Sequence, residues 1–215
     1  MYLSWATFYE GSSDADYFNV LIPRLLESIL NEEGVRPYDV ALAPSIEFGN
    51  HSRDFDEVAQ LICDRRQEFD ILVAHSDLGG RALATSVQNR REALVLRSSE
   101  ICGFEQERAV MLSPKKELEA WALADGTAIC AAFGITRLPL DLLPRSPKAV
   151  ETLDDPKIAL LDIGRFVGQR RPKGILVRIA QEQSLATLRR LPSFQEFETS
   201  LRSALMHQGC LPRDP

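Results

Sequence analysis

The chain carries acidic side chains at the points where its predicted strands end. Glu10 comes directly after an aromatic and β-branched segment at residues 2–9, and Asp77 lies three residues beyond the apolar run 71–74. Asp14 lies four residues beyond Glu10, at the start of a predicted helix. In an open parallel sheet, ligands bind outside the carboxyl ends of the strands, and magnesium takes oxygen ligands. The pattern therefore predicts a Mg²⁺ (or Mn²⁺) site held by Glu10, Asp14 and Asp77.

Two further side chains are candidates for catalysis at the same edge. His75 directly follows the third predicted strand, where we expect a histidine that forms a hydrogen bond at the strand end, since magnesium prefers oxygen. The alternative is a catalytic role as a general base. Glu119 falls in the first turn of a predicted helix, 117–133, and its alternative is a solvated glutamate stabilised by the helix dipole. Glu10 and Asp77 also have a structural alternative as turn residues, and Asp14 has one as a helix-terminal carboxylate favoured by the helix dipole.

The elements that must position these residues alternate between strand and helix. Strands are predicted at 2–9, 38–43, 71–74 and 108–112, and helices lie between them or follow them, with Gly34 ending the first. The connections are too long for hairpins, which indicates a mostly parallel sheet with helices on both faces. The sequence therefore predicts an α/β domain at 1–136.

The alternation of strand and helix ends after residue 136, where prolines interrupt the chain repeatedly. A short strand is predicted at 175–179, and amphipathic helices at 184–190 and 194–206. We therefore expect a mostly helical C-terminal extension over 137–215, packed on the α/β domain.

A basic segment without acidic residues runs from 165 to 178. Flanking glycines predict a loop, and arginine side chains suit contacts with phosphates that do not depend on base sequence. The alternative is a solvated basic loop. The candidate nucleic-acid-binding residues are Arg81, Arg165, Arg170, Arg171, Lys173 and Arg178.

The overall composition argues against several other classes of protein. With 25 basic and 31 acidic side chains the net charge is −6, so nucleic-acid binding would need a local basic patch. No stretch approaches the roughly 18–20 apolar residues of a membrane span, and the first residues lack the basic region of a signal peptide. The four cysteines are far apart, which predicts reduced thiols and a cytoplasmic protein.

Four blocks of sequence resemble a bacterial family of TOPRIM-like proteins, domain-of-unknown-function family 4276, which is often encoded beside AAA-type ATPases. The blocks fall in the family's order and span nearly the whole chain: E-G-S-S-D at 10–14, V-A-H-S-D-L-G-G-R at 73–81, E-L-E-A-W-A-L-A-D at 117–125 and L-R-R-L-P-S-F-Q-E-F at 188–197. The resemblance implies a TOPRIM-like fold.

TOPRIM folds hold magnesium with a glutamate after the first strand and a D-x-D motif after a later one. Glu10 matches the glutamate and Asp77 matches the first aspartate, but Gly79 stands where the second would be. The other alignment puts Asp77 second and His75 first; Gly80-Arg81 favours the former. Either way one carboxylate is missing, which leaves a one-metal site or a decayed one.

The function that the resemblance implies is magnesium-dependent phosphodiester cleavage of DNA or RNA. The family context adds a bacterial defence or stress system with an AAA-type ATPase as partner. Because of Gly79, the alternative is a non-catalytic TOPRIM-like binding or regulatory subunit with a degenerate metal site. A third candidate, a small-molecule phosphoesterase, is disfavoured by the basic segment.

Overall fold

A computed structural model describes residues 1–9, 11–48, 55–75, 83–139, 141–143, 146–169 and 174–212. In chain order its elements are β1 Tyr2–Leu3, β2 Trp5–Phe8, α1 Ser12–Glu33, β3 Asp39–Val40, β4 Ile46–Phe48, α2 Phe55–Arg65, β5 Ile71–His75, α3 Leu83–Cys102 and β6 Ala109–Leu112. The remaining helices are α4 Leu118–Ala122, α5 Gly126–Phe133, α6 Pro156–Phe166, α7 Ile175–Glu182, α8 Leu185–Leu188 and α9 Pro192–His207.

The central sheet has four parallel strands in the order β4–β2–β5–β6, and β1 pairs with β3 in parallel beside it. Phe8 of β2 pairs in register with Ala74 of β5, so the carboxyl ends of these two strands are neighbours. Every residue of β5 is buried, as expected for a central strand covered on both faces. The predicted α/β fold is confirmed.

Side chains alternate between the two faces of the sheet, and each face has its own apolar core. Trp5 and Val73 belong to the core that contains α1 and the C-terminal helices. Ala6 and Leu72 belong to the core that contains α2 and α3. The chain leaves β2 toward β4 and leaves β5 toward β6, so the strand order reverses between β2 and β5. Ligands of open α/β sheets bind at such a switch point.

Helix α1 is the longest element on its face, and its ends follow local rules. The backbone N–H of Gly11, the N-cap, donates to the Asp14 side chain. A stripe of leucines and isoleucines spaced by three and four residues is fully buried. Gly34 ends the helix, as predicted, and a Cβ atom at this position would overlap the Leu30 carbonyl oxygen.

Two predicted elements differ in their bounds. The helix predicted over 117–133 is divided into α4 and α5, because the Asp125 side chain accepts the N–H groups of Thr127 and Ala128 and starts a new helix. The second strand, predicted at 38–43, is present but shorter, as β3, which pairs with β1. A further strand, β4, follows it and pairs with β2.

The strand predicted at 175–179 is wrong, because these residues begin helix α7. Ile175 and Ile179 are β-branched, but they lie four residues apart and share one face of a helix. That face packs in the core with α1, and Ile179 is fully buried. Tertiary packing therefore outweighs the strand propensity of single residues.

Polar contacts fasten α7 to α1 across the chain. The Tyr17 hydroxyl donates to Gln183 Oε1 at 2.5 Å, and Gln183 Nε2 donates to the Trp121 carbonyl at 2.6 Å. Arg24 donates to the carbonyl oxygens of Ala180 and Gln183. The C-terminal helices α6 to α9 therefore share one core with the sheet, and α8 and α9 lie where short helices were predicted.

The cysteines are not all separate thiols. Cys63 of α2 and Cys102 of α3 are joined as a disulfide with Cα atoms 5.8 Å apart, whereas Cys130 and Cys210 are free. The expectation of four reduced thiols is therefore wrong for this pair, because the fold brings together residues that are 39 positions apart. Within the described residues, no helix has the length and apolar character needed to span a membrane.

Candidate functional site

The carboxyl ends of β2 and β5 meet the start of α1 at the switch point of the sheet. Tyr9 follows β2, and His75 is the last residue of β5. Both side chains are buried on the face of the sheet covered by α1. The sequence predicts a site at this edge, and ligands of open α/β sheets bind at such a switch point.

His75 and Asp14 are in direct contact at this edge. His75 Nδ1 lies 3.1 Å from Asp14 Oδ2, and the same oxygen accepts the Gly11 N–H at 2.8 Å. Asp14 is 5% exposed and His75 is 0% exposed. These two contacts fix the orientation of the Asp14 carboxylate in the first turn of α1, where the helix dipole also favours negative charge.

Aromatic rings surround the imidazole. The Phe18 ring centroid lies 4.7 Å from that of His75, and Tyr9 packs edge-on at 6.3 Å. Phe18 in turn packs edge-on against Trp121 of α4 at 6.0 Å. The ring of His75 is therefore held on its sides by apolar packing and at Nδ1 by a carboxylate, an arrangement that fixes orientation.

A second polar chain leads from this edge to the surface. The Tyr9 hydroxyl donates to Asn19 Oδ1 at 2.8 Å, and Asn19 Nδ2 donates to Glu47 Oε1 at 2.5 Å. Burial raises the pKa of Tyr9 well above its ordinary value, and the charges of Glu47 and Asp14 act in the same direction. Tyr9 is therefore a neutral hydrogen-bond donor at the site.

Sequence reasoning missed Tyr9, Asn19 and Glu47. Glu47 lies outside the predicted strands, whereas the structure places it as an exposed residue of β4 in register with Thr7 of β2. The available signal was the alternation of Ile46, Glu47 and Phe48, which is apolar, polar and apolar, as in a strand with one exposed face.

Glu119 lies in the first turn of α4, in the segment that follows β6. Its side chain is buried, so the solvated alternative for this glutamate is wrong. Trp121 on the same helix is a core residue, and its Nε1 donates to Ser193 Oγ at 2.8 Å.

Several predicted site residues lie outside the described part of the chain: Glu10, Asp77, Arg81, Arg170, Arg171 and Lys173. Among the described residues, no group of three His, Cys, Asp or Glu side chains is arranged to hold a metal ion. Of the predicted carboxylate ligands, Asp14 alone is therefore described.

The described ends of the basic segment are helical rather than loop. Arg165 lies in the last turn of α6 and pairs with Asp162 at 2.6 Å, and Arg178 is an exposed residue of α7. Gly174 precedes α7 with a left-handed φ of +68°, a conformation that favours glycine.

Comparison with protein-family models, with curated proteins and with solved structures found no match to this chain. The resemblance to the TOPRIM-like family stays a prediction.

Proposed function

We propose that the protein cleaves phosphodiester bonds of DNA or RNA in a magnesium-dependent reaction at the switch point of its sheet. The observation that carries this proposal is the fixed, buried carboxylate of Asp14 beside the ends of β2 and β5. Glu10 directly follows Tyr9 in the sequence, and Asp77 lies two positions after His75. Glu10 and Asp77 lie outside the described residues, and their closeness in sequence to Tyr9 and His75 is what supports a shared site with Asp14.

The donor set has the chemistry of a magnesium site, although only part of it is described. Glu10, Asp14 and Asp77 would hold the ion through carboxylate oxygens, with Mn²⁺ as a substitute. Asp14 Oδ2 already contacts Gly11 and His75, so Oδ1 is the oxygen for a cation. When bound, Mg²⁺ supplies polarisation of the phosphodiester and activation of water.

The described residues position this site. Gly11 and His75 hold the carboxylate of Asp14 in one orientation. Because His75 is fully buried, it serves as a positioning residue for Asp14 and does not contact the substrate. Glu119 contributes a further acidic group in the segment after β6.

Metal-dependent cleavage is tested by comparing two aspartates in the first turns of α1. Asp14→Asn is expected to lower cleavage of single- or double-stranded DNA or RNA in Mg²⁺ by about 100-fold or more. Asp16→Asn, an exposed neighbour, is the matched control and should leave cleavage unchanged. Equal activity of Asp14→Asn and the wild type would refute the assignment.

Nucleic-acid binding through the basic segment is tested separately from cleavage. If Arg170 and Arg171 contact phosphates, replacing both by Ala should flatten the slope of log affinity against log salt by roughly 1.4–1.8. Arg65→Ala, which removes a partly exposed arginine from α2, is the control. An unchanged slope in the double variant would assign the segment to a solvated surface.

The second candidate is a non-catalytic binding or regulatory subunit, and Gly79 in place of a second aspartate favours it. The two functions differ in their response to magnesium: a metal site raises the melting temperature with Mg²⁺ concentration by mass action on the folded state. Absence of both cleavage and this rise would favour the second candidate. An AAA-type ATPase partner and a role in defence or stress rest on the family resemblance, and a cytoplasmic location rests on the sequence. Co-purification with the ATPase tests the partnership.

A further inference from the structure

A disulfide joins the two helices that cover one face of the sheet. Cys63 lies in α2 and Cys102 is the last residue of α3. Both helices belong to the core formed with Ala6 and Leu72, which is separate from the core of α1 and the C-terminal helices. The bond therefore links the two helices within a single layer.

The surroundings of the two sulfur atoms suit the reduced pair as well. The Ser98 carbonyl oxygen lies 3.3 Å from Cys63 Sγ and 3.2 Å from Cys102 Sγ. After reduction, each thiol has this carbonyl as a hydrogen-bond acceptor. The two sulfur atoms must move apart to van der Waals distance on reduction, and the shared carbonyl gives both thiols a polar partner within the same helix layer.

The two sulfurs differ in their access to solvent. Cys63 is 2% exposed, whereas Cys102 is partly exposed at the end of its helix. Gly103 follows it with a left-handed φ of +67° and turns the chain away. Exchange with a reagent in solution therefore begins at Cys102, and Cys63 acts as the resolving thiol.

We propose that Cys63 and Cys102 form a reversible redox modification site, exchanging with low-molecular-weight disulfides and with dithiols. In oxidation, the Cys102 thiolate attacks the disulfide reagent, forms a mixed disulfide and releases one thiolate. The Cys63 thiolate then attacks Cys102 Sγ and releases the second. Two protein thiols lose two electrons and two protons, and one reagent disulfide becomes two thiols.

The location of the bond gives the modification a structural effect. Helix α2 is the first described element after β4, and α3 is the first after β5. Both are therefore connected to the sheet edge that carries the candidate site. Oxidation fixes α2 and α3 against each other, and reduction loosens this layer while leaving α1 and α7 packed on the other face.

The remaining cysteines provide an internal control. Cys130 and Cys210 are free, and burial raises the pKa of the Cys210 thiol, which lowers its reactivity. The protein is equilibrated with glutathione disulfide, unfolded and alkylated. It should then carry two alkyl groups, on Cys130 and Cys210, and a sample that is reduced before alkylation should carry four. Four groups without reduction would overturn the proposal.

Thermal unfolding tests the effect on the fold. Dithiothreitol should lower the melting temperature of the wild type by about 10 °C, because the bond closes a loop spanning a 39-residue separation. Cys102→Ser should begin at the lower value and show no response, whereas Cys130→Ser should behave as the wild type. An equal response in Cys102→Ser, or failure of the wild type to recover on reoxidation, would overturn the proposal.

Hydrogen exchange locates the change. Amides of α2 and α3 should exchange faster after reduction, by about 10-fold or more, while amides of α1 and α7 should change little. Uniform acceleration in all four helices would mean that the bond is only a global stabiliser. The exchange rates do not depend on nuclease activity, so this test of the redox site is independent of the proposed function.

Discussion

His75 Nδ1 lies 3.1 Å from Asp14 Oδ2 across 61 positions of sequence, and both side chains are buried. The contact joins the end of β5 to the first turn of α1, the two elements that meet at the switch point. The Asp14 carboxylate, which we propose binds the metal, is thus oriented both by His75 of β5 and by Gly11 at the start of its own helix.

Replacing His75 by Ala is expected to destabilise the fold by about 3 kcal/mol, because it leaves a cavity and takes a partner from a buried carboxylate. Urea unfolding at neutral pH measures this cost. His207→Ala is the control, since His207 contacts Glu105 at the surface; its cost should stay within about 0.5 kcal/mol. Equal costs for the two variants would contradict the buried contact.

The chain from Tyr9 through Asn19 to Glu47 predicts a non-additive pair of substitutions. Asn19→Leu removes the acceptor of the buried Tyr9 hydroxyl and should cost about 1–3 kcal/mol. Adding Tyr9→Phe removes the stranded donor, so the double variant should be no less stable than Asn19→Leu alone. Costs that simply add would show that the hydrogen bond is absent in solution.

Tyr17 predicts a loss of stability at alkaline pH. Burial raises its pKa, the nearby Asp125 acts in the same direction, and Arg24 and the hydrogen bond to Gln183 oppose them. Above pH 10 the unfolded chain releases the phenol proton while the folded chain keeps it. The free energy of unfolding therefore falls by about 1.4 kcal/mol per pH unit through this group.

Tyr17→Phe removes that contribution, so its free energy of unfolding should fall less steeply between pH 10 and 11. It should be less stable at pH 7, since Gln183 loses a donor. Tyr2→Phe, at an exposed position, is the control and should keep the wild-type slope. An unchanged slope in Tyr17→Phe would show that Tyr17 ionises in the folded protein.

The hydrogen bonds of Ser193 at the start of α9 predict a loss of stability when its hydroxyl is removed. Its hydroxyl accepts from Trp121 Nε1 at 2.8 Å and donates to the buried Glu151, whose carboxylate also accepts the Ser193 N–H at 3.1 Å. Ser193→Ala should cost about 2–3 kcal/mol and shift the tryptophan emission. Ser203→Ala, exposed on the same helix, should cost less than about 0.5 kcal/mol.

The fold class and the order of the first elements could be predicted from the sequence. The uninterrupted apolar run at 71–74 predicts a strand buried on both faces, and β5 is such a strand. Gly34 marks the end of α1, as its position after the helical pattern predicts. These features are local, because periodicity and capping involve residues a few positions apart.

Contacts between residues that are far apart in the sequence follow only from the tertiary structure. It turned 175–179 into a helix against α1, placed Glu47 on a strand and joined Cys63 to Cys102. It also set His75 against Asp14, a contact that neither residue's local pattern contains. The physical reason is that hydrophobic periodicity specifies which side of an element is buried, whereas its packing partner depends on how the whole chain fills one core.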